Sequence, residues 1–232
     1  MDSPSPKTNP NATAFETSVV EAVNKRLAMF DKCTALPKPR QKMLELEWDD
    51  VDNSETRLLG QGSFSRVHLV GLNDVPGESF ALKQLNLCSE TASPKQYRRG
   101  AIDIALEGRL ISCLEHENII KIHAVKKGCI GRSMNDKEAP FFLVLDYLTE
   151  TLDGRIERWR NEENTMDRLK AKMCGYDEKL MNRLETAAIG IAKGMEYLHS
   201  LGGKEFKCMK KRHDLGFLSH TFTSFSKFFS VT

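Results

Sequence analysis

Between residues 56 and 85, three short apolar runs follow one another with little but turn residues between them. The first ends in Leu58-Leu59 and meets Gly60 and Gly62. The second alternates through Val67 and Leu69. The third follows the turn "NDVPGE". Period-two alternation broken by Gly, Pro and Asn predicts strands at 56–60, 65–72 and 78–85. The Gly60-Gln61-Gly62 turn admits two readings. It is a tight β-hairpin, or it is a backbone cradle in which missing side chains let N–H groups approach phosphate. The stretch alone does not choose between them.

The remainder of the chain supplies the context. The pattern predicts a helix over 94–114, strands at 119–125 and 141–148, and a strong helix over 178–201. In that last helix Leu180, Leu184, Ala188, Ile191, Met195 and Leu198 form one apolar stripe, and Gly202 and Gly203 stand where a helix ends. Residues 151–176 are heavily charged and read as a short helix plus a solvated insertion. Near the N-terminus Val19, Val20, Val23, Leu27 and Phe30 put an apolar face on a helix over 15–31. That helix packs on the domain or docks a partner. Residues 1–45 thus read as a disordered start, one amphipathic helix and a linker through "TALPKPRQ".

Composition excludes several classes. The chain has 232 residues, 28% of them charged, with a formal net charge of +2. That balance argues against a nucleic-acid arm or a basic membrane-binding surface. No apolar run approaches the ~18 residues that a membrane span requires. Six cysteines with no C-x-x-C pair indicate neither a zinc site nor a disulfide framework. Reduced thiols and the lack of a secretory signal point to the cytoplasm, with the nucleus as the alternative.

The chemistry rests on one lysine. Phe80-Ala81-Leu82-Lys83 places a cation in an otherwise apolar strand, on the same face as Ala81. In the next helix Glu107 stands among Ile104, Ala105, Leu110 and Ile111. A carboxylate on an apolar face needs a partner, and Lys83 is the natural one.

With these residues in place, the chain resembles a eukaryotic protein kinase over roughly residues 55 to 202. "LLGQGSFSRV" resembles the glycine-rich loop, "FALK" the strand carrying the phosphate-binding lysine, and Glu107 its helix partner. "LEHENIIKI", with Glu107 and His116 nine apart, resembles the helix-to-strand connection. "FFLVLDYL" resembles the strand entering the hinge, and "AAIGIAKGMEYLHSLG" the long helix before the catalytic loop. No piece is specific alone; six in order at the right spacings are.

The resemblance implies an α+β fold: a kinase-like N-lobe at 55–148, made of a five-stranded antiparallel sheet and one helix, then a charged insertion and a helical remnant of the C-lobe at 149–202. It implies ATP as ligand. Gly60, Gln61, Gly62, Ser63 and Ser65 would cover the phosphates, with Phe64 at the loop tip. Leu59, Val67 and Ala81 would sandwich the adenine, Leu145 would be the gatekeeper, and the backbone of Asp146 and Leu148 would bond the adenine edge. Lys83, held by Glu107, would bind the α- and β-phosphates. Gly108 should cost its helix about 1 kcal/mol and leave its position adjustable.

The resemblance also shows what to look for and not find. Where the family has His-Arg-Asp, this chain has Glu205-Phe206-Lys207. His213-Asp214-Leu215 lies about eight residues late and lacks the Arg. Asp214 is the last acidic residue, so no Asp-Phe-Gly follows to bind Mg2+. No catalytic or metal-binding residue is therefore assigned, although Mg2+ belongs to the family's chemistry. The tail, 203–232, holds half of the phenylalanines and has no period, and reads as disordered. The expectation is a truncated kinase domain, or one with a tail from a misread frame. Its family reaction transfers the ATP γ-phosphate to protein Ser/Thr hydroxyls, with Tyr the lesser alternative. A catalytically inactive interaction module is the second reading. Its partners would be ATP and a protein substrate or docking protein, with self-association through the exposed 178–201 stripe.

Overall fold

The computed structural model describes residues 10–33, 43–62, 64–85, 93–128, 130, 140–162 and 178–202. Expectations for the tail, the linker, the 163–177 insertion and Ser63 lie outside these residues. The described chain is α+β and divides into two compact units. The first holds the sheet with its two helices; the second holds residues 115–120 and everything from Leu148 onward.

Six strands form the sheet of the first unit: β1 (Leu44–Leu46), β2 (Val51–Gln61), β3 (Ser65–Leu72), β4 (Val75–Leu85), β5 (Ile122–Lys126) and β6 (Phe142–Asp146). Their order is β1-β5-β6-β4-β3-β2. All neighbours pair antiparallel except β1, which runs parallel to β5. The expected sheet of five antiparallel strands is therefore corrected to a mixed sheet of six. The added strand has only three residues and no alternation long enough to notice. It forms because its partners lie elsewhere: the Lys127 N–H donates to the Leu46 carbonyl at 2.8 Å. Trp48, in the 3-10 turn that follows, donates its indole N–H to the Pro140 carbonyl at 3.2 Å. The same ring meets Phe142 edge-on at 5.1 Å. The strand β2 also starts five residues before the expected 56, in a segment whose acidic character masked its pairing with β3.

The alternation of β3, β4 and β6 sorts their side chains. Val70, Phe80, Leu82, Phe142 and Val144 point to one face and join Leu46, Val51, Leu72 and Ala124 in a closed apolar core. Val67, Leu69, Ala81, Lys83, Leu143 and Leu145 take the other face, because cross-strand partners share a side.

Two helices accompany the sheet. The first, α1 (Pro10–Cys33), buries Val19, Val23 and Phe30 at steps of four and seven and packs on α2. The helix α2 (Pro94–Ile111) starts on a capping box. The Gln96 N–H donates to Ser93 Oγ, the Ser93 N–H to the Gln96 side chain, and Pro94 takes the first turn.

The second unit contains α3 (Leu152–Asn161) and α4 (Glu178–Gly202). Thr151 caps α3 through a bond from the Gly154 N–H. Charge links the two helices: Arg158 bonds Glu150 and Glu162, and Glu162 accepts from Arg183 at 2.9 Å. Residues 115–118 lie against α4. The Glu115 N–H donates to the Tyr197 hydroxyl at 3.0 Å. A Cβ at Gly190 would stand 3.1 Å from Asn118 Nδ2, so the bare backbone permits this approach. The buried side of α4 follows Ala187, Gly194 and Leu198; Ala188 and Met195, expected on that stripe, are exposed. No described helix is long and apolar enough to cross a membrane.

Removing the Trp48 ring should cost about 3 kcal/mol, since it takes a core contact and a hydrogen bond together. Leu44, 57% exposed, should tolerate alanine within ~0.5 kcal/mol. Urea unfolding of Trp48→Ala and Leu44→Ala measures both.

Candidate functional site

The sheet face opposite the core carries the site. Register sets Lys83 opposite Val67 on one side and Leu143 on the other, and Ala81 opposite Leu69 and Leu145. Val67, Ala81, Lys83 and Leu145, named from sequence as members of one site, thus stand on one face of three adjacent strands. Leu145 and Ala81 are buried and Val67 is half-buried. Leu59 sits at a register shift between the Leu58–His68 and Gly60–Val67 pairs. Such a bulge re-aims the side chain relative to its neighbours. Leu59 remains 37% exposed.

Lys83 meets Glu107 as the sequence predicts. Its Nζ donates to Glu107 Oε1 at 2.7 Å and to Oε2 at 2.5 Å. The Lys83 side chain is 20% exposed and that of Glu107 10%. The alignment that produces this contact depends on the neighbouring residue. A Cβ at Gly108 would stand 3.1 Å from Leu143 Cδ2. The missing side chain lets α2 approach β6 closely, directly beside Glu107. Gly108 is thus a close-packing residue, which sequence alone presented as a weakness of the helix.

The glycine turn is a hairpin tip in this structure. Gly60 pairs with Val67 and Gln61 with Arg66, so both extend the β2–β3 ladder. The Gly62 N–H donates to the Ser65 carbonyl at 2.8 Å. That donor is spent inside the turn and is not presented outward, contrary to a cradle built from both glycines. The space above Gly60 is open, with no atom within 4 Å of a built Cβ. Phe64 at the tip stacks beneath the Arg99 guanidinium of α2, 5.9 Å from the ring centre.

At the end of β6, Asp146 is held from two directions. Its Oδ1 lies 2.6 Å from His123 Nε2, and its Oδ2 accepts the Lys121 N–H at 2.6 Å. The Asp146 N–H donates to the Lys121 carbonyl at 3.0 Å. Burial pushes the carboxyl pKa up, but the His123 and Lys121 bonds together outweigh it and hold the group below its ordinary value. Sequence reasoning valued Asp146 only for its backbone and missed His123, because that pairing arises from the β5–β6 alignment. Leu148 begins the second unit. Among the described residues no three His, Cys, Asp or Glu side chains converge.

No protein-family model matches the chain. Curated relatives nonetheless align with it. The mitogen-activated protein kinase kinase kinase YODA of Arabidopsis thaliana is 34% identical over 144 residues, covering 62% of this chain and 13% of the relative. The LRR receptor-like serine/threonine-protein kinase GSO1 of the same plant is 23% identical over 160 residues, covering 67% of this chain and 11% of the relative. A probable LRR receptor-like serine/threonine-protein kinase, RFK1, also from that plant, is 26% identical over 166 residues, 71% of this chain and 13% of the relative. The chain therefore spans little more than a tenth of the length of the relatives it matches.

Gly108→Ala should fail to deliver the ~1 kcal/mol that alanine normally adds to a helix, because its methyl meets fully packed Leu143. Thermal unfolding should show no gain or a loss. For Asp146 the sign is fixed by the lowered pKa. Its contribution is complete above the ordinary value of 3.8 and is lost as pH falls below it. Asp146→Asn should therefore be less stable than wild type at neutral pH, with the gap closing below about pH 4 in urea titrations.

Proposed function

We propose that the chain is a member of the eukaryotic protein kinases and that its first unit is a kinase N-lobe that binds ATP. The observation that carries the reading is the Lys83–Glu107 ion pair joining β4 to α2. It supports a lysine oriented for α- and β-phosphate oxygens, since a carboxylate clamp leaves the ammonium on the sheet face shared with Val67, Ala81 and Leu145. Those three side chains offer an apolar slot for the adenine ring, with Leu59 at its edge. Leu145 is the gatekeeper in this reading, and the backbone of Asp146 meets the adenine edge. The open space over Gly60 leaves room for the phosphates. Because Gly62 has already used its N–H, the turn must rearrange before both glycines contact phosphate.

The family reaction is transfer of the γ-phosphate to a protein hydroxyl, Ser/Thr by the precedent of the relatives' names. This reaction needs a catalytic Asp and metal-binding carboxylates, and the sequence following Leu201 offers neither arrangement. The activity proposed for this chain is nucleotide binding. Met181, Ile189 and Met195 expose apolar surface on α4, which supports self-association through that helix. Light scattering across a dilution series should then show a mass that rises with concentration.

Titration with a fluorescent ATP analogue tests the main reading. Wild type should bind, and Lys83→Met and Glu107→Gln should each weaken binding by at least about tenfold, the scale of a lost charge-assisted contact. Circular dichroism confirms that each variant is folded. Equal binding by folded Lys83→Met sinks the proposal.

A further inference from the structure

The helix that carries Glu107 is buried on two sides. Tyr97, Ala101, Ile104, Gly108 and Ile111 form one stripe, while Leu106 and Leu110 lie on the opposite side. A helix resting on a sheet alone buries one stripe, so α2 needs a second cover. Besides its contacts with β4 and β5, it packs along α1.

The contact is anchored near both ends of α2. At its start Phe15 meets Tyr97 edge-on, ring centres 6.4 Å apart, and Arg98 donates to Ser18 Oγ at 2.9 Å. Tyr97 is almost fully buried there, and burial first, with the nearby Glu16 charge second, pushes its pKa far up. Towards the other end Arg109 Nη2 lies 3.0 Å from Asp31 Oδ1, and Arg109 Nη1 donates to Cys113 Sγ at 2.7 Å. Between the anchors Val19 and Val23 are buried. Arg109 stands two residues after Glu107, so the anchor fixes the same turn of α2 that presents the carboxylate. A helix pinned at two points along its length resists both rotation about its axis and withdrawal from the sheet. Either motion would take Glu107 from Lys83.

We infer that α1 is a positioning element built into the chain, whose Phe15, Asp31 and Val19–Val23 face holds α2 so that Glu107 keeps Lys83. The structural part of this inference stands on contacts alone. Its consequence for nucleotide binding rests on the ATP-binding function proposed above.

The test uses the full chain and needs no nucleotide. Lys83 clamped by Glu107 should react slowly with a water-soluble acetylating ester, followed residue by residue with peptide mass spectrometry. Amide exchange reports whether α1 is docked. Asp31→Arg and Phe15→Ala together should free α1 and raise acetylation of Lys83 by roughly tenfold, the scale of a moderate coupling between sites. Protection of β3 and β4 should stay unchanged. Asp31→Arg combined with Arg109→Asp should restore slow acetylation, which a general loss of packing would not do. Should those anchors leave α1 docked, Val19→Asp removes it from the buried side. Free α1 with unchanged acetylation of Lys83 overturns the inference. So does loss of β3–β4 protection along with α1, because α1 would then be core and not a brace. Wild type that fails to bind ATP yet shows the acetylation response removes the nucleotide reading and leaves the brace standing.

Discussion

The Lys83–Glu107 ion pair is the constraint around which the first unit is arranged. Both groups are largely removed from water. Either one without the other would leave a nearly buried charge, a cost of roughly 3–5 kcal/mol on the scale of broken buried pairs. Strand β4 and helix α2 are therefore tied to each other at one point. Everything that sets the distance between them serves that point: the strand that puts Lys83 on the site face, the capping box that starts α2, and the bare Gly108 that lets α2 close on Leu143.

The two sheet faces divide the labour. One is a dry apolar core that includes fully buried Phe142 and Val144 and fixes the sheet. The other combines apolar residues with the paired charges. Because side chains alternate strictly along each strand, a one-residue slip of β4 would move Lys83 into that core. The core thus specifies the register on which the site depends. The hairpin tip between β2 and β3 is under weaker constraint. Gly60 has open space above it, and one turn bond holds Gly62.

The helix α1 changes how the N-terminal segment is understood. Its sequence pattern is compatible with an ornament on the domain or a docking helix. Its packing shows that it covers α2, the one helix whose position decides whether Glu107 reaches Lys83. The Asp31–Arg109 contact is partly exposed and by itself contributes little. The buried Val19, Val23 and Phe30 side chains supply the adhesion, and the polar anchors select the alignment.

The sequence by itself determined the strands β3 and β4, the start of α2, the long helix α4 and the pairing of Lys83 with Glu107. In each case the signal is local: alternation, an apolar stripe at helical spacing, or an isolated charge on an apolar face. Tertiary structure alone decided the three-residue strand β1, the spent Gly62 donor, the role of Gly108 and the His123–Asp146 contact. It also moved the buried side of α4 from Ala188 and Met195 to Ala187 and Gly194, because the face a helix buries depends on what lies against it. Leu46 and Lys127 are 81 positions apart in the chain, and Trp48 reaches the carbonyl of Pro140, 92 residues on. Periodicity records what each residue prefers; which distant groups become neighbours is fixed only when the sheet closes and its unpaired backbone groups find partners.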